Sequence, residues 1–208
     1  MQHIKKPSIA IVTFLCPYPV SDGGRFGVFS FVNDIRELFN VTLIFKVPDS
    51  EQANVMALEK LWPEVNIQPF YTDSSIKTNV HQKKLSLYKK LVQPIRKAKY
   101  AKRAKNTTDN KPIAHGLYPF VPIERAFVDF LGQLFSRKKF DVVQIEYSDL
   151  LSLVHLIPGD TKKVFFQHEN RYAILEDYFE VNRDKGAYAS YIVDTARFAE
   201  INLMNQHL

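Results

Sequence analysis

Hydrophobic residues in this chain fall into two kinds of stretch. Some are short, almost unbroken runs, which mark strands buried on both faces of a parallel sheet. They cover residues 9–15, 41–47 and 141–147, with 163–168 as the last and 65–70 as the weakest. Others recur three and four residues apart, which puts them on one face of a helix. Phe26, Phe29, Val32 and Ile35, widened by Phe31 and Leu38, predict a first helix. Val55, Leu58 and Leu61 predict a second, with Ser50 as its cap and its end near Trp62 and Pro63. Leu85, Tyr88, Leu91, Val92 and Ile95 predict a helix over 81–104 that Pro94 kinks or divides. Ala126, Phe127, Phe130, Leu131 and Leu134 predict one over 123–137. A short helix over 149–156 and helices over 171–178 and 187–205 complete the series. Pro69 suggests an end or edge for the third strand, because proline cannot donate to a ladder.

Strand alternates with helix along the chain. That alternation predicts an α/β fold: an open parallel sheet, Rossmann-like, with helices on both faces. The 208 residues, 46% of them hydrophobic, suffice for one substantial core. The expected organisation is a single domain over 1–208 with a basic helical excursion at about 81–111. There is no internal repeat. Polar loops are expected over 106–111 and, with aromatics and prolines, over 115–122. The second is open between a ligand-contacting loop and simple packing.

The charge sharpens one part of this picture. The net charge is +6, yet ten lysines and arginines and no acid lie between Lys83 and Lys105. The other 18 basic residues face 22 acidic ones, so the basicity belongs to one segment. Three readings of it stay open. It is a solvated face whose apolar stripe packs on its own domain, a helix lying on an anionic membrane, or a nucleic-acid contact. On the membrane reading Lys83, Lys84, Lys89, Lys90, Arg96 and Lys97 face the headgroups. Aromatics for stacking bases are sparse there, only Tyr88 and Tyr100, so no nucleic acid is expected. The lone cysteine, Cys16, rules out an intrachain disulfide and fits a reducing compartment. No run is long enough for a membrane span. The expected location is cytoplasmic, with peripheral attachment to the inner face of the plasma membrane as a further option.

Ligands of open α/β sheets bind beyond the carboxyl ends of the strands. Three of those ends carry polar residues: Asp22, Gly23 and Gly24; Glu146, Tyr147 and Ser148; and His168, Glu169 and Asn170. The functional reading is one crevice lined by all three. The bland reading is turn glycines, a strand-end carboxylate paired with a lysine and a satisfied edge histidine. Gly23 and Gly24 form a turn before a helix whose free amides suit a phosphate or another anion. The dinucleotide fingerprint is absent, since Gly23-Gly24-Arg25-Phe26-Gly27 lacks its spacing and no acid ends the second strand. There is no P-loop, no nucleophile elbow and no credible metal constellation, so neither metal nor cofactor is expected.

The string Ile9-Ala-Ile-Val-Thr-Phe, then Pro17-Tyr-Pro, Gly23-Gly24, a long helix and Val41-Thr-Leu-Ile resembles the start of family 4 glycosyltransferases. Phe140-Asp-Val-Val-Gln-Ile-Glu146 is similar to their fourth strand, and Phe165-Phe-Gln-His168-Glu to a later strand ending in histidine. The resemblance spans most of the chain through loose motifs. It implies one half of the two-domain GT-B architecture, the amino-terminal, acceptor-side half. The implied enzyme is a retaining hexosyltransferase that moves a sugar from a nucleotide sugar to a glycan or lipid-linked acceptor in cell-surface polysaccharide assembly. The resemblance implies Gly23 and Gly24 on the donor phosphates, Glu146 and His168 at the reacting sugar, and Tyr147, Asn170 and Arg25 on the acceptor. Glu146 stands where many relatives carry a histidine, which leaves its role open between binding a sugar hydroxyl and supporting the fold. Nothing after Asn205 could form the nucleotide-sugar-binding second domain, and the E-x7-E spacing of Glu51 and Glu59 is a coincidence on a surface helix. The chain alone is therefore expected to lack transferase activity. A non-catalytic Rossmann-like module that binds a nucleotide or a partner protein is the alternative.

Overall fold

The structure is a computed structural model and describes residues 6–72, 123–183 and 186–207. The chain divides into two compact units, Met1–Asp73 with Gly116–Leu208, and Ser74–His115. All described residues belong to the first. The predicted basic helix, its six headgroup-facing lysines and arginines, and the loops over 106–111 and 115–122 lie outside the described residues.

Five strands form one sheet: β1 (Ser8–Thr13), β2 (Asn40–Pro48), β3 (Asn66–Thr72), β4 (Val142–Glu146) and β5 (Lys162–Phe166). Their order is β3-β2-β1-β4-β5, and every pairing is parallel. The helices are α1 (Gly23–Ile35), α2 (Gln52–Leu61), α3 (Arg125–Arg137), α4 (Arg171–Val181) and α5 (Ala187–His207). A 3-10 turn, Asp49–Glu51, precedes α2, and a 3-10 helix, Ser148–Leu156, follows β4. The fold is the expected open parallel sheet, Rossmann-like, with both faces covered. Chain direction reverses its outward march between β1 and β4, which makes that gap the switch point where such sheets bind ligands.

Alternation along the strands builds the two cores. Ile9, Ile11, Leu43, Phe45 and Val47 point to one face and pack with Val28 and Val32 of α1 and Val55, Leu58 and Trp62 near α2. Ala10, Val12, Ile44, Val143 and Ile145 point to the other, against Phe127, Leu131 and Phe135 of α3 and Leu150, Leu153 and Val154. Helices α4 and α5 share a smaller core of Leu175, Phe179, Ile192, Val193 and Ala196. Pro69 does lie on an edge strand, since β3 pairs with β2 alone among the described residues.

Several local expectations are corrected. Strand β1 stops at Thr13, and Phe14 is exposed. Helix α1 buries Val28 and Val32, while Phe26 and Leu38 face solvent. The rest of the expected stripe holds: Val32 is buried and Phe29, Phe31 and Ile35 pack against the same core, with Val28 taking the deep position in place of Phe26. Ser50 does not cap α2; it lies inside the 3-10 turn, and Glu51 takes the cap position without a side-chain bond. Trp62 is buried in place of the exposed Leu61. In α3 Ala126 is exposed and Phe135 is buried.

Candidate functional site

The carboxyl ends of β1, β4 and β5 bring the three polar stretches together. Glu146 is the last residue of β4, and His168 lies two residues past β5. Parallel pairing sets Glu146 beside Phe166, so a side chain just beyond β5 can fold back onto the tip of β4. His168 Nε2 and Glu146 Oε2 are 2.5 Å apart. Glu146 is only 2% exposed, and Gln144 Nε2 donates to its other oxygen, Oε1, at 2.5 Å. Gln144 and Glu146 are two residues apart and share the face of β4 that looks toward α1. The imidazole keeps 15% of its side-chain surface exposed. It is thus the ligand-accessible member of the pair, and Glu146 acts through it.

Tyr147 holds the ring in place. Its phenol stacks on the imidazole with centroids 4.0 Å apart and planes 15° from parallel. Phe166 meets the imidazole edge-on with centroids 4.7 Å apart, and the Phe14 ring centroid lies 4.4 Å from that of the phenol. Phe14 and Phe166 are both exposed, so two accessible aromatic rings flank the histidine and tyrosine. Tyr147 has φ 71 and ψ 140, a region almost reserved for glycine. A bulky residue held there stores strain on the order of 1–3 kcal/mol, and such strain concentrates at functional sites. Its hydroxyl is buried with no hydrogen-bond partner among the described residues. Burial, then the nearby Glu146 charge, pushes the phenol up to about 12, so it stays protonated at neutral pH.

The glycine pair is not a loop but the first turn of α1. Asp22 is the cap: its side chain accepts from the Arg25 amide at 2.9 Å, and its carbonyl accepts from the Phe26 amide at 2.9 Å. The Arg25 amide holds the Asp22 carboxyl below the usual carboxylate range. A carboxylate therefore already occupies part of the anion-favouring helix start. Gly24 is required for another reason. A Cβ there would stand 2.5 Å from the Tyr147 hydroxyl oxygen. Gly23 has nothing among the described residues within 4 Å of the corresponding point, which leaves its backbone open to approach. At Gly27 a Cβ would lie 3.4 Å from His168 Cε1 and 3.7 Å from Nδ1.

Arg25 and Asn170 reach the same end of the sheet but are engaged internally. Arg25 Nη1 donates to the carbonyls of Cys16 at 2.6 Å and Tyr18 at 3.5 Å, and the guanidinium pairs with Asp22 and Glu51. It clamps the 14–22 loop, in which the Tyr18–Pro19 peptide is cis and the buried Cys16 thiol is pushed up by burial. Asn170 caps α4, accepting from the Ala173 amide at 3.3 Å. Arg171 pairs with Asp149, and with Glu169 at 3.5 Å. Glu200 of α5 is buried against this region. Burial drives its carboxyl up, and the Ser148 hydroxyl and Arg171 amide, neither at full hydrogen-bond geometry, pull it only partly back.

Sequence reasoning passed over Gln144, Gly27, Glu200, Phe14 and Phe166. Gln144 had a signal, a polar residue inside an otherwise apolar strand run. The others had none, because their roles depend on which elements meet. Among the described residues no cluster of three or more metal-ligating side chains is drawn together, and no helix is long and apolar enough to cross a membrane. Comparison with known proteins finds no family model that matches the chain and no curated protein that matches it.

Proposed function

We propose that this chain is the acceptor-side half of a glycosyltransferase and that His168 is its sugar-contacting group. The carrying observation is the imidazole at the β1–β4 switch point, oriented by buried Glu146 and flanked by the rings of Tyr147 and Phe166, with Phe14 packed on the phenol. Such a site suits a sugar. A hydroxyl bonds to the imidazole, and the apolar ring face lies against an exposed aromatic. Carbohydrate rings present both kinds of surface, whereas a flat dinucleotide needs the phosphate fingerprint that is absent here.

In this reading Glu146 is a positioning residue, since both its oxygens are engaged and it is shielded from solvent. The open backbone at Gly23 is where a donor phosphate would approach, beside the Asp22 cap. Positive charge for the departing diphosphate would come from a second domain, and sugar transfer would need that domain. The membrane-surface role of the segment from Lys83 to Lys97 belongs to the same proposal.

Ligand-detected NMR on this chain tests it, with UDP-glucose, GDP-mannose and methyl glycosides as probes. At least one sugar is expected to bind, and His168→Ala and Phe166→Ala to weaken it at least tenfold. Absence of binding by every probe, or binding that His168→Ala leaves unchanged, overturns the reading.

A further inference from the structure

The protonation geometry of His168 follows from two residues that do not touch the accessible edge of its ring. Gln144 is 4% exposed and gives its amide hydrogen to Glu146 Oε1 at 2.5 Å. Turning that amide over would set its carbonyl oxygen against a carboxylate oxygen, two acceptors in contact. An ionised Glu146 accepts this bond more strongly than a protonated one would. The remaining oxygen, Oε2, then needs a donor, and His168 Nε2 at 2.5 Å is the one present. Stacking by Tyr147 and the edge of Phe166 fix the ring plane.

The other side of the imidazole faces α1 at Gly27. Apart from the neighbours Phe26 and Val28 and the helix's own backbone, the atoms among the described residues within 4 Å of the point where a Cβ would stand are His168 Cε1 and Nδ1. We infer that Gln144 and Glu146 lock His168 as its Nε2–H tautomer, and that Gly27 keeps Nδ1 open as the acceptor for a ligand hydroxyl. Gln144 is thus a positioning residue and Gly27 a specificity-determining one. A neutral imidazole with Nε2–H has only Nδ1 left to accept, and a partner on one ring nitrogen sets the role of the other, as around metal-bound histidines. The last step, that the hydrogen bond comes from a ligand hydroxyl, rests on the sugar-binding reading; the tautomer and the open edge do not.

Two measurements on the native chain test this. Two-bond proton–nitrogen correlation NMR on histidine-labelled protein is expected to show His168 as the Nε2–H form. Gln144→Met, close in shape but unable to donate, should give a tautomer mixture; Gln144→Leu serves if that variant does not fold. Carbethoxylation of His168 by diethyl pyrocarbonate, followed by peptide mass spectrometry, reads the open nitrogen. Gly27→Ala should slow it several-fold without changing the tautomer. An Nδ1–H native form, an unchanged tautomer in the folded Gln144 variant, or native modification rates in Gly27→Ala overturns the inference. If these results hold while no sugar binds, the functional reading alone fails.

Discussion

Gly24 and Tyr147 offer a sharp test of the geometry. An alanine methyl at position 24 would sit 2.5 Å from the Tyr147 hydroxyl oxygen, well inside contact distance. The phenol cannot simply swing away. It lies between Phe14 and His168, and its backbone is held at φ 71. Forcing a methyl into such packing costs about 1–3 kcal/mol. The gain in helix propensity from Gly to Ala offsets up to roughly 1 kcal/mol of that, less in a first turn. Gly24→Ala is therefore expected to destabilise the native chain by up to about 3 kcal/mol, the difference of those two effects.

Tyr147→Phe removes the offending oxygen, which leaves Asp22 Oδ1 at 3.4 Å and the ring's Cζ at 3.6 Å, both ordinary contacts. It also removes a buried hydroxyl with no partner among the described residues, whose desolvation costs about 1–3 kcal/mol. So Tyr147→Phe should be neutral or stabilising. Gly24→Ala should be neutral or stabilising when combined with Tyr147→Phe. The double-mutant cycle then shows a coupling of about 1–3 kcal/mol between two residues far apart in sequence. Equilibrium urea unfolding followed by circular dichroism measures it, with equal m-values required across the four proteins. Additivity within about 0.5 kcal/mol would refute the close approach of Gly24 to the phenol.

Other outcomes follow from the same site. Glu146→Ala leaves the Gln144 amide and His168 facing no acceptor, and should destabilise on the order of 3 kcal/mol by urea unfolding; an effect below about 0.5 kcal/mol would contradict the buried pair. Burial raises the Glu200 carboxyl above its unfolded value. The folded state therefore binds the proton more tightly, and this stabilisation is complete below the unfolded value and lost as pH rises through the folded one. Glu200→Gln should flatten that decline and raise the melting temperature at neutral pH; a lower melting temperature there would refute the assignment. The Asp22 carboxyl is held low by the Arg25 amide, so its contribution is present above the unfolded value and lost as pH falls through the folded one. Asp22→Ala should lower the melting temperature at neutral pH, with the gap to native closing in acid. Asp22→Asn should keep most of the cap. Phe127→Ala, on the fully buried face of α3, should cost about 3–5 kcal/mol by urea unfolding.

How much of this was legible before folding depends on the range of the forces involved. Strand runs and helical spacing are local, so the sequence predicts the alternation of β1, α1, β2, α2 and β3, and the edge position of the proline-bearing strand. The gathering of polar residues at one end also follows, because every βα unit in a parallel sheet points its strand ends the same way. The face of α1 that turns inward was legible, since Phe29, Phe31, Val32 and Ile35 all meet the core, but its deepest residue was not. The spacing includes Phe26, but packing leaves Phe26 exposed and buries Val28 beside the expected Val32.

The site shows the same division. Sequence alone identifies Glu146, Tyr147, His168 and the glycine pair as polar or permissive residues at strand ends. Only the tertiary structure couples Glu146 to His168 across 22 residues of chain. Only there does Gln144 acquire a partner, and only there does Gly24 become a matter of room for a phenol. The physical reason is that a hydrogen bond or a van der Waals contact is decided within a few tenths of an ångström. Hydrophobic periodicity determines which face of an element is buried, to about a turn of helix or a strand register. The last ångström comes from how β1, β4, β5 and α1 pack against one another.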